Sequence, residues 1–308
     1  MSVTDNRTLI QKADLAIADL TTDGGYLEDE QSMKFIKVAI EQSKLLTLCT
    51  VDSMRSPKKK LETFRFGSRI LHIATSAQAL PVGKRSKPDL TMAELSTHEF
   101  KAEIRLPYDV LEDNIERDGL ESTVMQALPE ACGRDMEEIA LMSVTTSGDA
   151  DLANFNGFLA AATTNTVNVA SAAMSQDVLE NMLLAMPNEF KATKPELRYF
   201  VSTNTEIRYR NLLAQTAREA GQVYHDEAKD IQYSGIPMVP LAKIAEPSSL
   251  TQALLVHPKN LHVGVQRQIR IETARDISAG VVIIVASVRM DAKYEYEPAC
   301  VRAYDITV

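Results

Sequence analysis

Two neighbouring segments of this chain carry opposite charge. Residues 54–105 hold eleven Lys and Arg against five Asp and Glu, a balance of +6, while residues 109–151 hold two against twelve, a balance of −10. The first segment is strand-like over most of its length. A basic, alternating strand pair cannot bury itself, and an isolated two-stranded hairpin is marginal in water. It reads as a long hairpin arm that needs a surface to lie on. The second segment reads as a long acidic helix that supplies such a surface on another copy of the chain. Opposed fields of this size steer docking and set register, although each rim ion pair adds little affinity. The expected contact joins Arg55, Lys58, Lys59, Lys60, Arg65, Arg69, Lys84, Arg85 and Lys87 of one copy to Glu112, Asp113, Glu116, Glu121, Glu130, Asp135, Glu137 and Glu138 of a neighbour. The chain reads as an assembly subunit.

The length, 308 residues, allows one large domain or two ordinary ones, and 45% hydrophobic residues allow a sizeable core. The formal net charge of −9 argues against a general nucleic-acid binder, because phosphate neutralisation needs excess cations. Cys49, Cys132 and Cys300 are far apart and odd in number. They support neither a disulfide framework nor a structural zinc site, and fit synthesis in a reducing cytoplasm. No apolar run approaches the length that spans a bilayer, so no membrane is expected as a partner. The stretch from Met1 to Arg7 is polar and does not resemble a signal peptide.

The pattern along the chain is mixed. Leu9, Ala13, Ala16 and Leu20 predict a short amphipathic helix over 7–20, and Met33, Ile36 and Ile40 a second from about Glu28 to Leu46. Period-two segments follow, Thr47–Val51 and Leu61–Ala74. A last strand then runs to Leu106, with Phe100, Ala102, Ile104 and Leu106 alternating with Lys101, Glu103 and Arg105. A short helix is expected over 108–116 and a longer one over about Leu120–Val144, kinked by Pro129 and Gly133. Residues 176–262 read as a compact α/β unit. In it a helix stops at Pro187, a strand spans Arg198–Ser202, and a capping box from Thr203 to Glu206 opens the next helix. The C-terminus reads as strands at 266–273, 281–288, Tyr294–Glu297 and Val301–Ile306, with a turn at Ala279-Gly280.

Tests for enzyme chemistry find nothing to build on. Gly83-Lys84 lacks the flanking residues of a phosphate-binding loop, and neither GxGxxG nor GxSxG occurs. His257 and His262 are separated by five positions across Pro258, and His225 sits in a polar His-Asp-Glu cluster; hydrogen-bonded or solvated histidines account for them better than metal ligands. Cys132 lies in an acidic helix, which raises a thiol pKa. No catalytic residue, cofactor or metal ligand is assigned. Phe64 and Phe66 among Arg65 and Arg69 are a pattern that can stack bases. A solvated hairpin is the bland alternative. The acidic segment next door favours protein contact over both.

With the elements in place, the order resembles the major capsid proteins of tailed bacteriophages, the Hong Kong 97 fold family. Gly24 to Ile36 is similar to that family's N-terminal arm, 47–105 to its extended loop, and 108–146 to its short helix and long spine helix. Gly148-Asp149 followed by Asn156-Gly157-Phe158-Leu159 resembles the segment after the spine, and 288–301 the closing strands. The resemblance runs from about Gly24 to the C-terminus and rests on order and spacing. It implies an α+β fold with an N-terminal arm (1–46), an extended β-hairpin loop (47–105), a peripheral domain with the spine helix (106–175 and the closing strands 263–308) and an axial domain (176–262). It implies pentamers and hexamers of an icosahedral phage head around double-stranded DNA, made in the host bacterial cytoplasm and located in the virion capsid. The implied partners are further copies of the chain, a portal, packaged DNA by weak non-specific contact, and in some relatives a cementing protein. Only 23 residues precede Gly24, so a separate scaffold protein or a removed precursor is implied. The turn Thr273–Gly280 contains no Asn, so non-covalent shells are expected rather than the Lys–Asn crosslinks of some relatives. An encapsulin-like cargo compartment is the rival within the fold, and a soluble hydrolase with an unrecognised site the rival outside it.

Overall fold

The computed structural model describes residues 43–66, 69–73, 79–108, 120–216, 231–245, 247–266 and 270–308. The helices expected at 7–20 and 108–116, and the cluster around His225, lie outside these residues. So does the helix expected from Glu28, apart from its end. The elements run α1 (Lys44–Leu48), β1 (Thr50–Met54), β2 (Lys58–Arg65), β3 (Asp89–Ser96), β4 (His98–Pro107), α2 (Leu120–Met142), α3 (Phe158–Ala161), β5 (Thr166–Asn168), α4 (Gln176–Ala185), α5 (Asn188–Lys191), β6 (Arg198–Ser202) and α6 (Thr203–Thr216). Seven strands follow: β7 (Gln232–Tyr233), β8 (Ile236–Leu241), β9 (Leu250–Val256), β10 (Leu261–Gln266), β11 (Arg270–Asp276), β12 (Val281–Tyr294) and β13 (Cys300–Thr307).

One sheet is organised by β12. Its first half lies between β4 and β11, and its end pairs with β10, which continues in parallel to β1. Alternation decides which face is covered. Val282, Ile284 and Ala286 of β12, with Ala102, Ile104 and Leu106 of β4, turn onto Val124, Leu128 and Cys132 of α2. Pro129 sits inside α2, and the helix continues across it. Further along, Met136, Ala140 and Leu141 enter a larger core with Leu45, Leu46, Phe158, Val263 and Tyr294.

The second sheet has the order β5-β13-β9-β6-β8-β7. Its central strands are apolar on both faces, as strands covered on two sides must be. Phe200, Leu254 and Val256 face the core under α2, while Tyr199, Val201, Ala253 and Leu255 face Leu179 and Met182 of α4 and Tyr209 of α6. The α/β unit expected at 176–262 therefore borrows β5 and β13 from outside its bounds, and its last two residues, Leu261 and His262, already open β10 of the first sheet.

Three local expectations differ from the structure. Thr47–Val51 is not one strand. Ser43 caps α1, its hydroxyl taking the Leu46 N–H at 3.1 Å, and the strand starts only at Thr50. The helix-opening cap at 203–206 lies one residue earlier than expected. Ser202 Oγ accepts the Thr205 N–H at 3.2 Å, and Glu206 pairs with Arg210 at 2.6 Å instead of reaching back. Residues 50–54 and 98–107 of the expected loop are strands of the β12 sheet, so the free hairpin narrows to β2 and β3.

Candidate assembly surface

β2 and β3 form a two-stranded sheet of their own, in register from Lys58↔Ser96 to Arg65↔Asp89. Its base is closed by Thr97 N–H donating to Pro57 O at 2.9 Å. Such a pair is stable only if one face is covered. Here the side chains of Lys59, Leu61, Thr63 and Arg65 turn inward, and Lys58, Lys60, Glu62 and Phe64 turn outward.

The inward face is built rung by rung. Lys59 Nζ sits 2.6 Å from Asp52 Oδ1, and Asp52 Oδ2 lies 2.6 Å from His262 Nδ1. Burial raises the Asp52 carboxyl, but the hydrogen bonds with His262 and Lys59 outweigh that and hold it below the usual carboxylate range. The other ring nitrogen of His262 is 3.4 Å from Glu295. Leu61 packs with Leu95, Met54 and Ala93. Gly264 makes room for them, since a β-carbon there would lie 2.6 Å from Met54 Sδ and 3.2 Å from Leu95 Cδ1. Thr63 Oγ1 donates to Glu295 O at 3.3 Å, and Arg65 pairs with Glu189. On β12 the buried Asp291 accepts the Ser96 N–H at 2.7 Å, fixing the break between β3 and β4. Burial pushes its carboxyl above the ordinary range despite those donors.

Among the described residues nothing covers the outward face. Phe64, Leu90 and Met92 are 60%, 74% and 57% exposed on facing strands, and Phe66 meets Phe64 edge-on at 5.2 Å. Beyond the strands Leu71, Ile73 and Val82 are also exposed. Arg55, Lys60, Arg69, Lys84, Arg85 and Lys87 are exposed cations around this surface. Lys58 is exposed too and pairs with Glu94 at 2.8 Å. Glu62, Asp89 and Glu94 are exposed on the same two strands, so the rim is mixed with cations in excess; an apolar patch with a polar rim marks an interaction surface.

The acidic residues fall into three groups. Glu112, Asp113 and Glu116 lie outside the described residues, and Glu121 is in the first turn of α2. Glu137 is buried, taking Ser43 Oγ at 2.5 Å and the Leu45 N–H at 3.3 Å. Glu130 and Asp135 are exposed, and Glu138 pairs with Lys243 at 2.5 Å. Asp135 and Glu138 border a groove of about 530 Å³ between α2, β4, β12 and the 149–154 loop, together with Glu99, Asp149 and Asp151. Phe100, Met136, Ile139 and Leu152 supply its apolar lining.

The remaining candidates have ordinary partners. His257 Nε2 lies 2.7 Å from Glu196. Burial pushes the Cys49 and Cys300 thiols up to about 12, and burial plus the Asp135 charge raises Cys132. Such thiols are poor nucleophiles. Sequence reasoning missed Asp52, Asp291 and Gly264, because nothing local marks them; each matters through a strand that returns from far away in the chain.

A sheet laid on one long helix, a second sheet between helices, and a hairpin with one face open among the described residues fit the Hong Kong 97-type capsid fold that the sequence resemblance implied. Solved structures agree. The chain matches one from the satellite phage P4 procapsid including size determination (Sid) protein with a TM-score of 0.64, at 14% identity over 99% of each chain. It matches the holo-SrpI encapsulin complex from Synechococcus elongatus PCC 7942 with a TM-score of 0.59, at 10% identity over 85% of this chain and 87% of that one. At these identities the likeness is one of fold. The model of the phage capsid family matches residues 24–301. In sequence the chain is 30% identical over 302 residues, 96% of each, to the "Putative prophage capsid protein YqbE" of Bacillus subtilis (strain 168). The chain belongs to the phage capsid family. It is a structural protein of the virion capsid, not an enzyme, and its copies assemble into a shell.

Proposed function

We propose that the subunit forms pentamers and hexamers of an icosahedral head around double-stranded DNA, and that the outward face of the β2–β3 hairpin lies on the acidic groove of a neighbour. In this reading 1–46 is the N-terminal arm and 47–105 the extended loop. Residues 106–175 and 263–308 build the peripheral domain, with α2 as its spine. Residues 176–262 form the axial domain around which copies meet. The observation that carries the reading is the uncovered row of Phe64, Leu90 and Met92 on a hairpin whose opposite face is fully engaged. Apolar burial there supplies the energy, at about 25 cal/mol per Å². Lys60, Lys84, Arg85 and Lys87 supply the match to Asp135, Glu138, Asp149 and Asp151. Lys59, Arg65 and Glu137 serve their own subunit, Lys58 and Glu138 also hold partners within it, and Asp149 and Asp151 join the contact from outside the expected set.

A separate scaffold protein fits this reading, since the P4 procapsid of the same fold includes a size-determination protein. A portal, a cementing protein and packaged DNA held by weak contact complete it, with synthesis in the host cytoplasm. The encapsulin-like reading shares the fold, but the prophage relative at 30% identity favours the phage head. The test removes 57–97 and joins Ser56 to His98, which the Thr97–Pro57 hydrogen bond shows to be close at the hairpin base. The expected product is a folded subunit that makes no shells by electron microscopy. Normal shells would refute the hairpin's role.

A further inference from the structure

We infer that Arg65 is a releasable latch that sets the tilt of the hairpin on its own subunit. Its guanidinium lies 4.4 Å from the ring centroid of Tyr296 and 5.4 Å from that of Phe190, and it pairs with Glu189. The two rings are themselves 5.8 Å apart. Glu189 and Phe190 belong to α5 of the second sheet's unit, and Tyr296 to the connection between β12 and β13. One hairpin side chain thus ties together the hairpin, the helical layer and the link between the two sheets.

The rungs differ in kind along β2. At the base, Leu61 packs against Leu95, which is fully buried, and the Ser96 amide is held by the buried Asp291. These contacts cannot part without exposing apolar surface or stranding a buried polar group. At the far end, the Arg65 contact joins a side chain 23% exposed to one 59% exposed, so water can replace it. The hairpin therefore has a fixed pivot near Pro57 and Thr97 and a distal contact that can open. A packed element with one firm and one exchangeable attachment has two arrangements, latched and released. Released, the hairpin presents Phe64, Leu90 and Met92 at a different angle. This gives a repeated subunit a way to meet neighbours at more than one inclination. The consequence for shells rests on the assembly reading above; the latch itself does not.

The test is hydrogen exchange on the full-length chain kept as free subunits, so that it is read independently of assembly. Arg65→Ala and Tyr296→Leu should each speed exchange of the distal amides at 62–65 and 89–92 by about tenfold, as expected for an exposed ion pair with cation–π support, while the base amides at 58–61 and 93–96 stay put. Exchange in β4 and β12 should not move. The double variant should be no faster than either single. Glu189→Gln, which leaves the hairpin sequence untouched, should give a smaller increase in the same amides. Hairpin exchange within twofold of the parent in Arg65→Ala would overturn the latch. So would effects of the two single variants that multiply in the double, or an increase spread equally over β4 and β12. Loss of shells with unchanged hairpin exchange would likewise count against the latch while leaving the assembly reading standing.

Discussion

Gly157 lies flat against the last turn of α2, so close that a β-carbon on it would sit 2.6 Å from the carbonyl oxygen of Ala140 and 3.0 Å from that of Leu141. Its N–H donates to Ser143 O at 2.8 Å, and Asn156 Oδ1 takes the Thr145 N–H at 3.0 Å. The next residue, Phe158, is fully buried and its carbonyl accepts the Tyr294 hydroxyl at 2.7 Å. The Asn-Gly-Phe-Leu run is thus the joint between the long helix and the two sheets. Gly157→Ala places a methyl against backbone that cannot give way as a side chain would. We expect a loss of about 1–3 kcal/mol, the usual cost of overpacking. Thermal unfolding of the free subunit should show it as a lower Tm, and an unchanged Tm would mean that the joint relaxes.

Much of the fold is legible because its signals are local. β6 occupies Arg198–Ser202 as expected, and β4 alternates from Phe100 to Leu106 as its residues say it must. The failures have physical reasons too. Thr47–Val51 has the β-branched look of a strand, but strand propensity is weak against tertiary context. The context here is Glu137, 94 residues away, which holds Ser43 in place as the cap of α1. Lys59 and Arg65 look like free cations because their partners, Asp52 and Glu189, come together only when β1, β2 and α5 are in place. The charge split locates two oppositely charged faces. It cannot tell which of their members serve the subunit itself.

The hairpin base should be sensitive to acid through Asp52. Its folded-state pKa is depressed, because its bonds to His262 and Lys59 outweigh burial. A depressed carboxylate contributes stability that is complete above its unfolded pKa, near 3.8, and is lost as the pH falls through the lower folded value. Asp52→Asn should therefore be less stable than the parent at pH 5, and the gap should close as the pH is lowered below about 3.8. Urea unfolding of both proteins across that range measures the gap. A difference that stays constant would show that the carboxylate charge plays no part.

The thiols should be silent in the folded subunit. Cys49 and Cys300 are held up at about 12, and Cys132 is raised by burial and by Asp135. The thiolate is the reacting form, so its fraction at pH 8 is negligible for the first two. Iodoacetamide should leave Cys49 and Cys300 unmodified at that pH and label Cys132 slowly, with all three reacting after denaturation. Rapid labelling of Cys300 before unfolding would contradict its burial.

Charge reversal separates cations that face a neighbour from those that brace their own chain. Lys84, Arg85 and Lys87 are exposed near the far end of the hairpin, and the Arg85 guanidinium donates to the nearby Leu80 carbonyl at 3.1 Å. Changing all three to Glu should slow assembly strongly at low salt and much less at 1 M, because the screening length falls from roughly 10 Å at 0.1 M to about 3 Å. Lys59→Glu is the contrasting variant. It places a carboxylate beside Asp52 in a half-buried site, where salt screens poorly, so the hairpin base should loosen at every ionic strength. Light scattering gives the assembly rate, and hydrogen exchange of the hairpin amides reports on the base. Equal assembly of the triple variant at both salts would remove the tip cations from the contact. Salt-dependent behaviour of Lys59→Glu would move Lys59 into it.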